Sequence, residues 1–340
     1  MSSAAKNVSN KENFWSDRNF ALEAVRVTEA AALASFDWMG KGKEKDADRA
    51  AVNAMREALN GLSIDGTIVI GEGERDKAPM LYIGEKVGNA AGTGPKIDIA
   101  LDPLEGTTIC AHGGANSLTV IAMAEKGGFL HAPDVYMSKI AVGGGLPDGV
   151  VDLDNSPKQN LKNLAKAKKC EVSDLVVVIL ERDRHKEIIA GVREAGARIQ
   201  LITDGDVAGV IATSRPGTGV DMYMGIGGAP EGVLAAAALR SIGGQMQGRL
   251  LFTTDEERER AKRMGIDDFN RKYNLEELAK GDVMFAATGV TDGSMLRGVH
   301  RFEGGATTHS IVMRSKTGTV RLVEAQHNFN RKTWMGGDKN

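Results

Sequence analysis

Two cysteines, Cys110 and Cys170, are all that the 340 residues contain. A disulfide framework and a four-thiolate zinc site are therefore excluded. Aromatic residues make up only 5% of the chain, too few for platforms that stack single-stranded bases. A formal net charge of −2 and a pI near 6.3 leave no basic footprint for nucleic acid. No apolar run reaches the length of about 18 residues that suggests a membrane helix. The six histidines, at 112, 131, 185, 300, 309 and 327, form no His-x-His or His-x₃-His pair, which argues against histidine-ligated zinc. There is no Gly-x-Ser-x-Gly elbow for a serine hydrolase, no Gly-x₄-Gly-Lys-Ser/Thr loop, and no Gly-x-Gly-x-x-Gly opening a helix for a nucleotide-binding oxidoreductase. What remains is a cytoplasmic protein without nucleic-acid or membrane partners. Any anionic ligand must be held by local Arg, Lys or metal.

Glycine, by contrast, is abundant, with 42 in the chain. The glycines sit mostly where predicted strands end, where backbone turns sharply or approaches a ligand. At this length one large or two medium domains are expected. Met1 to Asp17 is polar, lacks the apolar core of a secretory signal and reads as a disordered, frayed extension. Leu22, Val25, Leu33 and Phe36 recur at helical spacing between Phe20 and Met39. A second helix opens at Asp46-Ala47-Asp48, with Val52, Met55 and Leu59 on one face. Strands are expected at 67–70, 97–101, 117–124 and 139–142. Gly143-Gly144-Gly145-Leu146-Pro147-Asp148-Gly149 reads as a linker. This divides the chain into an N-terminal α+β unit, 18–153, and a C-terminal α/β unit, 154–340. In the latter, helices 157–169, 185–195 and 231–242 alternate with strands 175–180, 198–202 and 220–225, the pattern of a partly parallel layered sheet.

The most informative stretch is Asp102-Pro103-Leu104-Glu105-Gly106-Thr107. An alternating strand runs into a Pro turn, and two carboxylates and a hydroxyl converge within it, which suits Mg²⁺ or Mn²⁺. Glu72 follows the strand 67–70 in the same way, and ligands of α/β sheets bind outside the carboxyl ends of strands. Glu74, beside it, reads as an ordinary solvated acid. Asp48 most simply complements a helix dipole. Glu231, after Gly225-Ile226-Gly227-Gly228-Ala229-Pro230, reads equally as a site acid near an anion-binding helix start or as a plain helix opening. Arg182-Asp183-Arg184-His185 suits bidentate phosphate capture, although a charged helix start is the simpler reading of the segment alone. Asp204-Gly205-Asp206 offers carboxylates to sugar hydroxyls or merely caps a helix. Tyr136 reads as a packing residue.

Taken together, Ala47-Asp48-Arg49-Ala50-Ala51, Ile68 to Glu74, Ala78-Pro79-Met80-Leu81-Tyr82-Ile83-Gly84-Glu85, the Asp102 hexapeptide, Ala132 to Met137, Asp204-Gly205-Asp206 and Gly225 to Gly232 resemble the class II fructose-1,6-bisphosphatases. These form a bacterial branch of the lithium-sensitive sugar and inositol phosphatases. The resemblance runs from about Ala21 to His327. It implies an αβαβα sandwich of two subdomains with the active site between them. It further implies two or more Mn²⁺ or Mg²⁺ ions held by Asp48, Glu72, Asp102, Glu105 and Glu231, with Asp48, Thr107 and Glu231 as catalytic residues. Glu105, Gly106, Thr107, Tyr136, Arg182, Asp183, Arg184, Asp204, Gly205, Asp206 and Gly228 match substrate-contacting positions. The family often carries Asp-Lys before the Asp48 motif; here the order is Lys43-Glu44-Lys45-Asp46, which leaves Lys43 or Lys45 for that place.

The implied activity is hydrolysis of the C1 phosphate of fructose 1,6-bisphosphate in gluconeogenesis or the Calvin cycle, by a homo-oligomer, dimer or tetramer. Thr107, oriented by Asp48, is expected to aim the water. Arg182, Arg184 and Tyr136 are expected to grip the far phosphate. The rivals are a sedoheptulose-1,7-bisphosphatase, an inositol-monophosphatase-like enzyme and, less well supported, a non-catalytic sugar-phosphate sensor.

Overall fold

A computed structural model describes residues 9–73 and 79–331, with side chains from Phe20 onward. Fourteen strands and nine α-helices are assigned among them. The strands are β1 (Asp65–Ile70), β2 (Lys86–Val87), β3 (Lys96–Glu105), β4 (Leu118–Glu125), β5 (Tyr136–Val142), β6 (Val176–Leu180), β7 (Arg198–Ile202), β8 (Met222–Gly228), β9 (Gln245–Leu251), β10 (Tyr273–Asn274), β11 (Val283–Gly289), β12 (His300–Phe302), β13 (Gly305–Arg314) and β14 (Thr319–Asn328). The helices are α1 (Ser9–Phe36), α2 (Glu44–Asn60), α3 (Thr107–His112), α4 (Pro157–Lys168), α5 (Lys186–Ala195), α6 (Asp206–Ala212), α7 (Ala229–Ile242), α8 (Asp255–Arg263) and α9 (Leu275–Leu278). No described helix is long and apolar enough to cross a membrane.

The strands form two sheets, so the chain is a mixed α/β protein. The first runs β12-β13-β11-β4-β3-β1-β2, with β14 added beside β13; the second runs β10-β9-β5-β8-β6-β7. In the second sheet β6 lies parallel to β7 and β8 while β5 is antiparallel to its neighbours, in keeping with the partly parallel sheet read from the alternating pattern.

Period-two alternation sends the two faces of the first sheet to different partners. Ile99, Leu101, Ile121 and Met123 pack with Val25, Leu33, Met55 and Leu59 from α1 and α2. Ala100, Val120 and Ala122 on the other face pack with α6, α7 and the inner face of the second sheet. On the outer face of the second sheet, Ile140, Val177, Ile179 and Met222 meet Leu161, Leu164 and Val192 of α4 and α5. Helix α7 is buried almost all round, through Gly232, Val233, Leu234 and the run Ala235–Ala238. A helix whose middle turns are apolar and small on every side is what a position between two sheets requires.

Three boundaries differ from the expectation. Helix α1 already exists at Ser9, so part of the segment read as a frayed extension is helical, while residues 1–8 lie outside the description. Of the residues at helical spacing, Val25 and Leu33 are buried and Leu22 is 54% exposed, while Val27 and Ala31 are buried beside them. The glycine run at 143–149 is no free linker: a Cβ at Gly143 or Gly144 would strike the backbone of Thr213 or Gly243, so the glycines allow close packing. Nor do the sheets divide at residue 153, because β5 joins the second sheet and β11 to β14 return to the first.

Candidate active site

An irregularity in β3 builds the first wall of the site. Asp102 pairs with Val120 of β4, yet Glu105 pairs with Leu118, so three steps on one strand face two on the other. In a regular strand, residues 102 and 105 would point to opposite faces; one extra residue turns them to the same side. Pro103 supports the break because it has no N–H to give the ladder. The Asp102 Oδ1 accepts the Leu104 N–H at 3.0 Å. Gly106, with φ of 79°, then turns the chain into α3 in a conformation that costs an L side chain about 1 kcal/mol or more.

The resulting cleft has a volume of about 370 Å³. Asp48 of α2, Glu72 after β1, Asp102 and Glu105 of β3, Gly106, Thr107, Asp204, Asp206 and Glu231 of α7 line it, together with Asp134. All five acids expected to hold metal thus share one crevice. Asp134, before β5, went unrecognised in the sequence because Pro133-Asp134 reads as an ordinary turn; its wall position is apparent only once β5 is seen to face α7. Among the described residues lining the cleft there are eight carboxylates and no Lys or Arg. Neither Lys43 nor Lys45 lines it, and the Lys43 ammonium lies 5.6 Å from the centre of the Trp38 ring.

The electrostatic consequence is a set of acids that resist ionisation. Burial, then repulsion from Asp48, pushes Glu72 up to about 7. Burial, then repulsion from Asp206, takes Glu231 to about 7 as well, with Lys139 acting in the opposite direction. Asp102 and Glu105 are raised well above the ordinary carboxylate range, chiefly by burial and then by neighbouring acids. Burial alone raises Asp48. Glu105 Oε1 accepts the Val207 N–H of α6 at 3.1 Å. The buried Oε2 atoms of Glu105 and of Glu231 have no partner, and unpaired buried carboxylate oxygens are costly. Among the described residues, no three His, Cys, Asp or Glu side chains are already gathered around one point; the acids stand along the walls. Clustered hard oxygens, orphaned atoms and, among the described lining residues, no Lys or Arg fit a divalent ion.

The remaining expected residues divide. Thr107 is in the cleft, but its hydroxyl donates to the Leu104 carbonyl at 3.0 Å, not to Asp48. Asp206 accepts from the Lys139 ammonium and from the Tyr223 hydroxyl at 3.3 Å. Asp204 Oδ1 accepts the Gly205 N–H at 3.1 Å. Gly228 stands at the start of α7, where a Cβ would run into the Glu231 carboxylate. Tyr136 is no packing residue: it is 48% exposed, with the Arg184 guanidinium 4.7 Å from its ring centre. Arg184 also donates twice to the Ile226 carbonyl, at 3.1 and 2.9 Å. Arg182 and Asp183 line a separate hollow with Lys186 and Arg193. Buried His185 fastens this turn, with Nδ1 2.7 Å from the Leu180 carbonyl and Nε2 accepting the Ile226 N–H at 2.8 Å. That pattern defines the neutral tautomer with the proton on Nδ1. Burial, first of its causes, keeps the His185 pKa low.

With this geometry in view, comparison with known proteins is specific. The family described as bacterial fructose-1,6-bisphosphatase, glpX-encoded, matches residues 18–327. The chain belongs to that family. It is 47% identical over 334 residues to a D-fructose 1,6-bisphosphatase class 2/sedoheptulose 1,7-bisphosphatase of Synechococcus sp. (strain JA-3-3Ab), covering 92% of this chain and 96% of that one. A protein of the same description from Trichodesmium erythraeum (strain IMS101) is 46% identical over 336 residues, covering 92% and 97%. A solved extragenic suppressor from Pyrococcus furiosus superposes with a TM-score of 0.31 at 11% identity, over 60% of this chain and 73% of that chain, too distant a likeness to bear on the fold.

Proposed function

We propose that this chain is a phosphoric monoester hydrolase that removes the C1 phosphate of fructose 1,6-bisphosphate, giving fructose 6-phosphate and inorganic phosphate. The observation that carries the reading is the cleft itself, walled by eight carboxylates with no Lys or Arg among its described lining residues. A doubly phosphorylated sugar is repelled by such walls unless cations intervene. Asp48, Glu72, Asp102, Glu105 and Glu231 would hold Mn²⁺ or Mg²⁺ there. When bound, such ions acidify the attacking water and neutralise charge on the leaving oxygen.

The chain's own groups do the rest. Thr107, at the start of α3, lines the cleft with Asp102 and Glu105; its hydroxyl, turned from the Leu104 carbonyl, would orient the water and pass on its proton. Asp204 and Asp206 accept hydrogen bonds from sugar hydroxyls. Arg184, held by Ile226 and stacked on Tyr136, grips the distal phosphate, so that binding energy far from the reacting bond aligns it. The five-layer αβαβα arrangement is supported by the separate packing of α1 with α2, of α6 with α7 and of α4 with α5 against the sheet faces. A homo-oligomer is in keeping with the exposed edge strand β14, whose Leu322 is 66% exposed.

Sedoheptulose 1,7-bisphosphate is the second reading, since relatives at 46–47% identity carry both activities in their names. The test is phosphate release by purified protein with Mn²⁺ from fructose 1,6-bisphosphate, sedoheptulose 1,7-bisphosphate, inositol 1-phosphate and fructose 6-phosphate. The bisphosphates should be cleaved and the monophosphates barely. Preference for inositol 1-phosphate, or release that persists in excess EDTA, would refute the proposal.

A further inference from the structure

Lys139 lies in the middle of β5, between buried Met137 and Ile140, with 1% of its side chain exposed. An ammonium so deep costs several kcal/mol of desolvation unless it is paired. Its Nζ forms an ion pair with Asp206 Oδ2 and donates to the Gly228 carbonyl at 2.9 Å. Space has been cleared for it. A Cβ on Gly227 would collide with the Asp206 carboxylate and with Nζ, and one on Gly232 would press the Lys139 Cδ at 3.2 Å. Three elements therefore meet at one buried cation: β5, the first residue of α6 and the start of α7.

Lys139 does not line the cleft, whereas Asp206 does. The acids accordingly fall into two groups. Glu105 and Glu231 each keep a buried oxygen without a partner, and their charge awaits an outside cation. Asp206 already has an inside one.

We propose that Lys139 is a positioning residue for the sugar end of the substrate. It holds the Asp206 carboxylate in place to accept sugar hydroxyls, and it keeps that carboxylate out of the divalent-ion cage. A carboxylate matched by a buried ammonium has little charge left to attract a further cation. The inference rests on the bisphosphatase reading above.

The test compares wild type with Lys139→Met and Lys139→Arg. Phosphate release is followed against fructose 1,6-bisphosphate, and Mn²⁺ alone is titrated calorimetrically. In Lys139→Met, loss of a charge-assisted hydrogen bond should raise KM about tenfold or more. Mn²⁺ should bind at least as tightly as in wild type, or at one further site, because the Asp206 carboxylate is then unmatched beside the ion cage, while kcat should change less than KM. Lys139→Arg, which keeps the charge, should recover part of the lost KM. An unchanged KM in folded Lys139→Met overturns the proposal, as does a collapse of kcat and Mn²⁺ affinity at constant KM. Should Lys139→Met not fold, Lys139→Met/Asp206→Asn removes the pair as a unit, which buried ion pairs tolerate better than half-removal. That variant should fold and show the raised KM; wild-type KM in it also counts against the proposal. A wild type that releases no phosphate from the bisphosphate overturns the functional reading and this inference with it. An active wild type with an unaltered variant overturns the inference alone.

Discussion

At the scale of single residues, identical chemistry serves different ends depending on what lies behind it. Asp102 and Glu105 are buried beside other acids, so each is neutralised by a proton or by a cation. Asp102→Asn, which keeps shape and removes charge, should lower Mn²⁺-dependent turnover by about 100-fold or more, with unchanged circular dichroism; near-normal turnover would exclude it from the cation cage. Arg184→Ala should raise KM for the bisphosphate about tenfold while changing kcat less, and steady-state kinetics would reveal the reverse if Arg184 served the reacting phosphate. The acids at strand ends were legible in the sequence because an acidic residue after an apolar strand is conspicuous. Asp134 and Lys139 were not. An aspartate after proline looks like any turn, and a lysine within Met137–Val142 looks like the solvent face of a strand until both faces prove to be covered. The same blindness made Tyr136 a packing residue: its ring is half exposed and carries Arg184, which arrives from a distant turn.

At the scale of elements, the break in β3 decides the site. Without the extra residue between Asp102 and Glu105, the two carboxylates would lie on opposite faces. The Pro and Gly of the hexapeptide signalled a turn, and the structure resolves this as an irregularity inside a strand that continues to Glu105. Helix α7 is the second decisive element, since its first turn supplies Glu231 and its alanines let both sheets approach. Ala236→Leu should therefore overpack the interior and destabilise the protein by about 1–3 kcal/mol, measured by urea unfolding; a neutral result would mean that the sheets are less closely packed on α7 than described. The alanine-rich helix was recognisable from its sequence, but its burial on every side was not, because periodicity cannot tell one partner from two. The glycine run at 143–149 misled for a related reason: glycine for flexibility and glycine for close approach read alike along a chain.

At the scale of the whole molecule, the chain crosses between sheets more than once, and no division along the sequence reproduces them. Long-range pairing such as β11 with β4 leaves no local trace, so the alternation of elements was readable while the sheet membership was not. The interleaving also gathers acids from residues 48 to 231 into one crevice, at a cost that depends on pH. Glu72 and Glu231 have folded-state pKa values of about 7, raised from an ordinary 4.5. The folded state thus binds more protons than the unfolded chain between pH 4.5 and 7, and metal-free stability should fall as pH rises through that window. Above it the loss is complete, and a divalent ion should reverse it. Thermal unfolding should accordingly show Mn²⁺ raising Tm by about 5 °C or more at pH 8 and by less than about 2 °C at pH 5. Equal shifts at both pH values would mean that ion binding is not linked to these carboxylates.

The most direct measurement is anomalous diffraction at the manganese edge from crystals soaked in Mn²⁺ and inorganic phosphate. The account predicts peaks inside the acidic cleft, bounded by Asp102, Glu105 and Glu231, with Asp206 left to its lysine. Manganese bound only elsewhere, or a cleft whose carboxylates turn away from an ion-free interior, would contradict it.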